Sequence, residues 1–437
     1  MKIRVRTGPA MMAVALLTFW SCGGDSLGPE QPGAGAARQA SPSPKAKPSA
    51  TPAVQVKVGL EQIEAEKGGP LKGKKIGLIA HAASVTFDGR RAVEVLRVAG
   101  VDVEKIFAPE HGAQGKAAAG EKVGDTVDPL ARVPVVSLYG EKTKPTPEDL
   151  KGLDALVFDL QDGGVRFYTY VSTMILALRA AADAGIEFVV LDRPNPLGGE
   201  RVEGPESEPR DAVPESLVNT APGPLVHGLT AGEMAQFVNA SLSKPARLTV
   251  VPMKGWRRSM SWADTGRAWV SPSPNLRCAE AALVYPGTAL LEGTNASEGR
   301  GTDAPFLLIG APWLKAEAII PSLPSSGLSF ETATFTPAAS AAAPEPKYAG
   351  LPCAGIRIGI KDAAAVTPYK LGVGLLVSLK SQAGFEWLRG GAAIDRLVGT
   401  RALRAAIDRG DPVDAIVAAD LPAIEAFRKA RQKSLLY

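Results

Sequence analysis

From Lys74 to Asp192 the chain alternates short apolar runs with amphipathic stretches, and this alternation leaves few folds open. KKIGLIA (74–80) reads as a strand, DGRRAVEVLRVAG (88–100) as a helix with Ala92, Val95, Leu96 and Ala99 on one face, and VDVEKIF (101–107) as the next strand. PVVSLY (134–139), DALVFDL (154–160) and EFVVLD (187–192) are three more strands. Thr146, followed by Pro147, caps a short helix between them, and a longer helix runs from about Phe167 to Ala184. Strands with no polar face must be covered on both sides, so the pattern predicts an α/β fold with a mostly parallel, doubly wound sheet. Thr230 and Glu233 form a capping pair that opens a further helix, followed by a strand over 246–253. We assign residues 56–280 to this first, Rossmann-like domain. Residues 281–437, with the strand CAGIRIGI, amphipathic helices and an Ala/Pro-rich loop near 337–346, make a second, smaller α/β domain.

The N-terminus is of another kind. Lys2, Arg4 and Arg6 precede an apolar run from Ala10 to Trp20 and then Ser21-Cys22-Gly23-Gly24, the order of an export signal. The run is about half of the ~20 residues that a membrane-spanning helix needs. Residues 1–22 are therefore expected to be a lipoprotein-type signal peptide with Cys22 as the acylated residue. Residues 23–55, rich in Gly, Pro, Ser and Ala, would be a disordered tether. These features predict an exported protein, periplasmic or at the cell surface, held to a membrane by a lipid on Cys22. Cys278 and Cys353 are either thiols or one bridge. The net charge of +4 is not gathered in one run, which gives no nucleic-acid footprint.

Ligands of doubly wound sheets bind beyond the carboxyl ends of the strands, and here those exits are polar. They carry His81, Glu110-His111, Asp159 with Gln161 and Asp162, and Asp192-Arg193-Pro194-Asn195. The first turn, AHAASVTFDG, lacks the close glycines that admit a pyrophosphate, and there is no GxxxxGK[ST] loop, so no nucleotide cofactor is expected. No GxSxG elbow supports a serine esterase. The three histidines, His81, His111 and His227, lack metal-pair spacing; no metal is assigned.

Seven segments, in order, carry a family resemblance: FAPEHG (107–112), FDLQDGGVRFYTYVSTM (158–174), LDRPNPLGG (191–199), VEGP (202–205), HGLTAGE (227–233), SPSPN (271–275) and YPGTALLEGTNASEGRGTDAPF (285–306). Over residues 57–437 the chain resembles the exo-β-N-acetylmuramidases, a bacterial family once known only as a domain of unknown function. The resemblance implies a Rossmann-like N-terminal domain, a smaller C-terminal domain and an active site between them. It also implies release of N-acetylmuramic acid from the non-reducing end of peptidoglycan fragments. At the first strand exit, where the family commonly shows Asn-Gln, this chain has His81-Ala82.

Glycoside hydrolysis needs a proton donor and a group that stabilises an oxocarbenium-like centre, usually a carboxyl pair. Glu110, at the cleft rim beside His111, is the candidate donor. Asp159 or Asp162 is the candidate partner, unless each merely ties down the GGVRFY loop by accepting backbone N–H bonds. The lactyl carboxylate of muramic acid suits an arginine fork, for which Arg166 and Arg300 are best placed and Arg193 is a third choice. His111, Gln161 and Asn195 at the strand exits and Tyr168, which could stack on a sugar face, complete the expected substrate contacts of the first domain. In the second, Asn295, Glu298 and Arg300 sit in a Gly-rich loop that would close over the sugar. Three readings stay open: a hydrolase, a muropeptide-binding lipoprotein that kept the cleft without turnover, and a metal-dependent deacetylase or amidase using the histidines, which activity unchanged by a chelator would eliminate.

Overall fold

The apolar runs become strands because β-branched and large apolar side chains fit a pleated surface buried on both sides. The computed structural model describes residues 55–122, 124–209, 212–213 and 215–437. The expected signal with Cys22, and the tether up to residue 54, lie outside the described residues. Seven strands, β1 (Lys75–Ala80), β2 (Asp102–Ala108), β3 (Thr126–Val127), β4 (Pro134–Ser137), β5 (Ala155–Asp159), β6 (Glu187–Leu191) and β7 (Arg247–Val251), form one sheet in the order β3-β4-β2-β1-β5-β6-β7. All neighbours are parallel except β3, which runs antiparallel to β4 at the edge. Without β3 the order is that of a Rossmann-like doubly wound sheet, with its switch point between β1 and β5.

Alternate residues of each strand feed two cores. Ile79, Leu156, Phe158, Phe188 and Val190 pack on one face with α4 (Thr169–Ala184) and α5 (Ala231–Asn239). Ile76, Leu78, Val157, Val189 and Leu191 pack on the other with α1 (Gly59–Ala65) and α2 (Ala92–Val98). Gly77 is required on β1, since a Cβ there would lie 2.5 Å from the Phe107 ring. Thr146 caps α3 (Pro147–Leu150), its hydroxyl accepting from the Asp149 amide, and Thr230 with Glu233 does the same for α5.

Beyond residue 278 the chain forms α6 (Ala279–Thr288), β8 (Leu308–Ala311), α7 (Ala316–Ile319), β9 (Leu328–Phe335), β10 (Cys353–Ile360), α8 (Pro368–Lys380) and α9 (Ala392–Val398). The three strands make a small antiparallel sheet, β8-β10-β9. The sequence predicts only β10 of these. The strand β9, SFETATF in its run, carries too few apolar residues to stand out, because only its ends are buried. The α4-side core runs on without interruption into Ile356, Leu371 and Leu375 of this part. Cys278 and Cys353 are free thiols, which resolves the open choice against a bridge.

Candidate active site

The exits of β2, β1, β5 and β6 stand side by side, so four loops meet at one rim. Over the β2 side of this rim lies a cleft of about 360 Å³. One wall carries Glu110, His111, Tyr139 and Thr169, and residues from the second part of the chain, Tyr285, Glu292, Arg300, Phe306 and Arg396, close the other. Volume for a sugar, a mostly apolar wall and a few convergent polar groups are what a small-ligand site requires.

Glu110 is 8 % exposed. Its Oε1 accepts the Gly120 amide at 3.0 Å and its Oε2 the Thr169 hydroxyl at 2.8 Å, so both oxygens are held without an ion pair. His111 follows in a left-handed turn, φ 71°, and its Nδ1 lies 2.8 Å from the Ala117 carbonyl oxygen. A carbonyl can only accept, so Nδ1 carries the proton and Nε2 keeps the lone pair. Burial lowers the His111 pKa despite the Glu110 charge beside it, which keeps the ring neutral near pH 7. The Tyr139 phenol is pushed up by burial and by the Glu110 charge, and Arg396 acts on it in the opposite sense. Glu110 and Arg396 thus both act on one phenol from the two walls of the cleft.

An aromatic belt floors the cleft. Tyr168 meets Tyr285 edge-on at 5.9 Å between ring centroids, and Tyr285 meets Phe306 at 4.7 Å. Such rings offer flat apolar faces to the C–H face of a sugar. Beside the belt, Arg300 binds Glu292 at 2.7 Å and Glu298 at 3.2 Å, and Lys347 binds Glu298 at 3.0 Å. Burial alone would lower the Arg300 pKa, but these two carboxylates hold it above its ordinary value. Burial likewise opposes the charge on Glu298, yet Lys347 and Arg300 keep its carboxyl below the usual range.

The structure brings Glu110, His111, Tyr168 and Arg300 onto the cleft, with Glu298 just behind Arg300. It moves the other expected contacts away. Asp159 is fully buried and clamped by Arg193, with Nη2 2.9 Å from Oδ2, so neither residue faces a sugar. Asp162 stands behind the cleft wall: its Oδ2 accepts the Gly164 amide at 2.7 Å, and its Oδ1 has no partner. Burial pushes its carboxyl up to about 7, against the pull of the Gly164, Val171 and Gly163 amides. This is the loop-tying role. Arg166 is fully buried and donates to the carbonyls of Pro205, Gly223 and Val398, which corrects its assignment to a lactyl carboxylate. Gln161 is bonded to Pro194 and Asp162 carbonyls, Asn195 to Leu229, and Asn295 to Gly384 and Glu386, so all three shape backbone outside this cleft. The sequence reading missed Tyr139, Glu292 and Arg396. Tyr139 follows β4 and was recoverable as one more strand exit, and Glu292 lies within the 285–306 segment already singled out, whereas nothing local marks Arg396.

Two family models match the chain: the N-terminal part of "Exo-beta-N-acetylmuramidase NamZ" over residues 76–280 and the C-terminal part over 283–437. The chain is 42 % identical over 404 residues to the peptidoglycan beta-N-acetylmuramidase NamZ of Bacillus subtilis (strain 168), covering 91 % of this chain and 95 % of that protein. Two crystal structures of DUF1343 family proteins from Bacteroides fragilis NCTC 9343 share the fold. One superposes with TM-score 0.78 at 30 % identity, over 88 % of this chain and all of that one. The other gives 0.69 at 29 %, over 88 % and 99 %. With both halves matched in order, the chain belongs to the exo-β-N-acetylmuramidase NamZ family.

Proposed function

We propose that this protein is a glycoside hydrolase that releases N-acetylmuramic acid from the non-reducing end of peptidoglycan fragments, with Glu110 protonating the leaving oxygen. The observation that carries the assignment to Glu110 is its place on the cleft, held by an amide and a hydroxyl and without a cation paired to it. A carboxyl in an ion pair would be fixed as the anion; one held by neutral donors can cycle its proton. Glu292, on the facing wall, is the second carboxylate that lines the same cavity. It takes the place expected of Asp159 or Asp162, and the substrate's own acetamido group is the other candidate for stabilising the anomeric centre. His111, Tyr168 and Arg300 are the substrate contacts retained from the sequence reading.

The test compares wild type with Glu110→Gln on a MurNAc-GlcNAc disaccharide, following free N-acetylmuramic acid by mass spectrometry. Release by wild type alone supports the hydrolase and its acid. Binding without release by either protein would replace this reading with that of a muropeptide-binding protein. The exported, Cys22-anchored location rests on the N-terminal sequence, and the division into a catalytic domain, 56–280, and an auxiliary one, 281–437, belongs to the same proposal.

A further inference from the structure

We propose that Arg396 is the residue that recognises the lactyl carboxylate of the terminal muramic acid, and so selects muramyl over glucosaminyl ends; the inference rests on the hydrolase reading above. A free carboxylate on the substrate needs a cation that is not already neutralised. Arg166 is sealed under three carbonyls. Arg300 and Lys347 face Glu292 and Glu298, two cations against two anions, so that cluster has no charge left to offer. His111 is kept neutral by burial. Among the described residues that line the cleft, Arg396 is the remaining cation, and it makes no ion pair.

Its environment keeps it so. The neighbouring acid on α9, Asp395, is taken by both ends of the Arg404 fork, at 2.9 and 2.8 Å. The helix itself is fixed rather than floating: Arg166 holds the Val398 carbonyl, and the Glu208 amide donates to the Gly399 carbonyl at 2.7 Å. A planar, bidentate donor on an anchored helix, across the cleft from the proposed acid, is suited to hold one carboxylate in one orientation. Arg396, Glu110 and Tyr139 line the same cavity of about 360 Å³. A glucosamine end lacks the lactyl group and leaves this contact unmade.

Wild type, Arg396→Ala and Arg396→Lys are compared on MurNAc-GlcNAc and on its lactyl methyl ester, which keeps the shape and removes the charge. A charge-assisted pair at a partly exposed site is worth roughly tenfold in binding. Arg396→Ala is expected to raise KM for the free acid about tenfold, to move kcat little and to collapse the preference for acid over ester; lysine restores part of that preference. An unchanged acid-to-ester ratio in an active Arg396→Ala enzyme overturns the role of Arg396 alone. Wild type that releases no sugar from either substrate overturns the hydrolase reading, and this specificity role with it.

Discussion

Replacing Asp162 by asparagine should stabilise the protein at alkaline pH and leave it nearly unchanged in acid. Burial pushes the folded carboxyl up to about 7 from its ordinary 3.8. A raised carboxylate pKa means that the fold binds the proton more tightly than the unfolded chain does. Below pH ~4 both states are protonated and no penalty exists. As pH rises from ~4 to ~7 the unfolded chain gains by ionising first, and stability is lost over that window. About three units at ~1.4 kcal/mol each give an upper limit of about 4 kcal/mol by pH 8, and relaxation around the buried charge brings this nearer to 2. Asparagine keeps an oxygen for the Gly164 amide. Its amide, like the hydroxyl of the protonated acid, puts donor hydrogens where the unpartnered Oδ1 now stands, so the two come closest at low pH. Urea unfolding of both proteins at pH 5, 6, 7 and 8 isolates the effect, since every other titrating group cancels in the difference. The expected gain grows with pH by roughly 2–4 kcal/mol. A difference that stays flat with pH, or a variant that loses ground as pH rises, refutes the assignment of a buried, burial-shifted carboxyl.

Glu110→Gln removes the transferable proton while its Oε1 still accepts from Gly120 and its Nε2 donates to the Thr169 hydroxyl, so kcat should fall on the order of 10²–10⁴-fold, with substrate still bound; residual turnover within a few-fold of wild type would assign the proton to another group. Arg166→Met fills the same space but strands the carbonyls of Pro205, Gly223 and Val398, at about 1 kcal/mol or more each. Its urea midpoint should drop by the equivalent of at least about 3 kcal/mol, and an unmoved midpoint contradicts the burial described. Cys22→Ala should abolish incorporation of a labelled fatty acid in cells and free the protein from the membrane fraction; label retained by the variant rules out that anchor.

The doubly wound sheet was legible because its period is local: β1, β2, β4, β5 and β6 each announce themselves by an apolar run, whereas the exposed two-residue edge strand β3 does not. Glu110 was legible for the same reason, as the first acid after β2. Arg166 was not. Its fate is set by carbonyls at Pro205, Gly223 and Val398, the last 232 positions away, and no pattern around the GGVRFY string reports that these meet over it. Asp159 misled in a related way, since a strand-exit aspartate looks alike whether it faces a sugar or an Arg193 fork. Arg396 was invisible because its lack of a partner is decided by side chains from elsewhere in the fold, whereas Glu292 lies with its partner Arg300 in the one segment 285–306 and was passed over for the strand-exit aspartates. The small sheet was missed because β9 is half solvated and its alternation is mostly polar.

Arg166 has a mechanical consequence as well. One guanidinium takes carbonyls from the loop behind the cleft and from the far end of α9, and the apolar interior passes beneath the same seam without a break. Two walls tied in this way should move and unfold as one body, so heating the protein is expected to melt both in a single step.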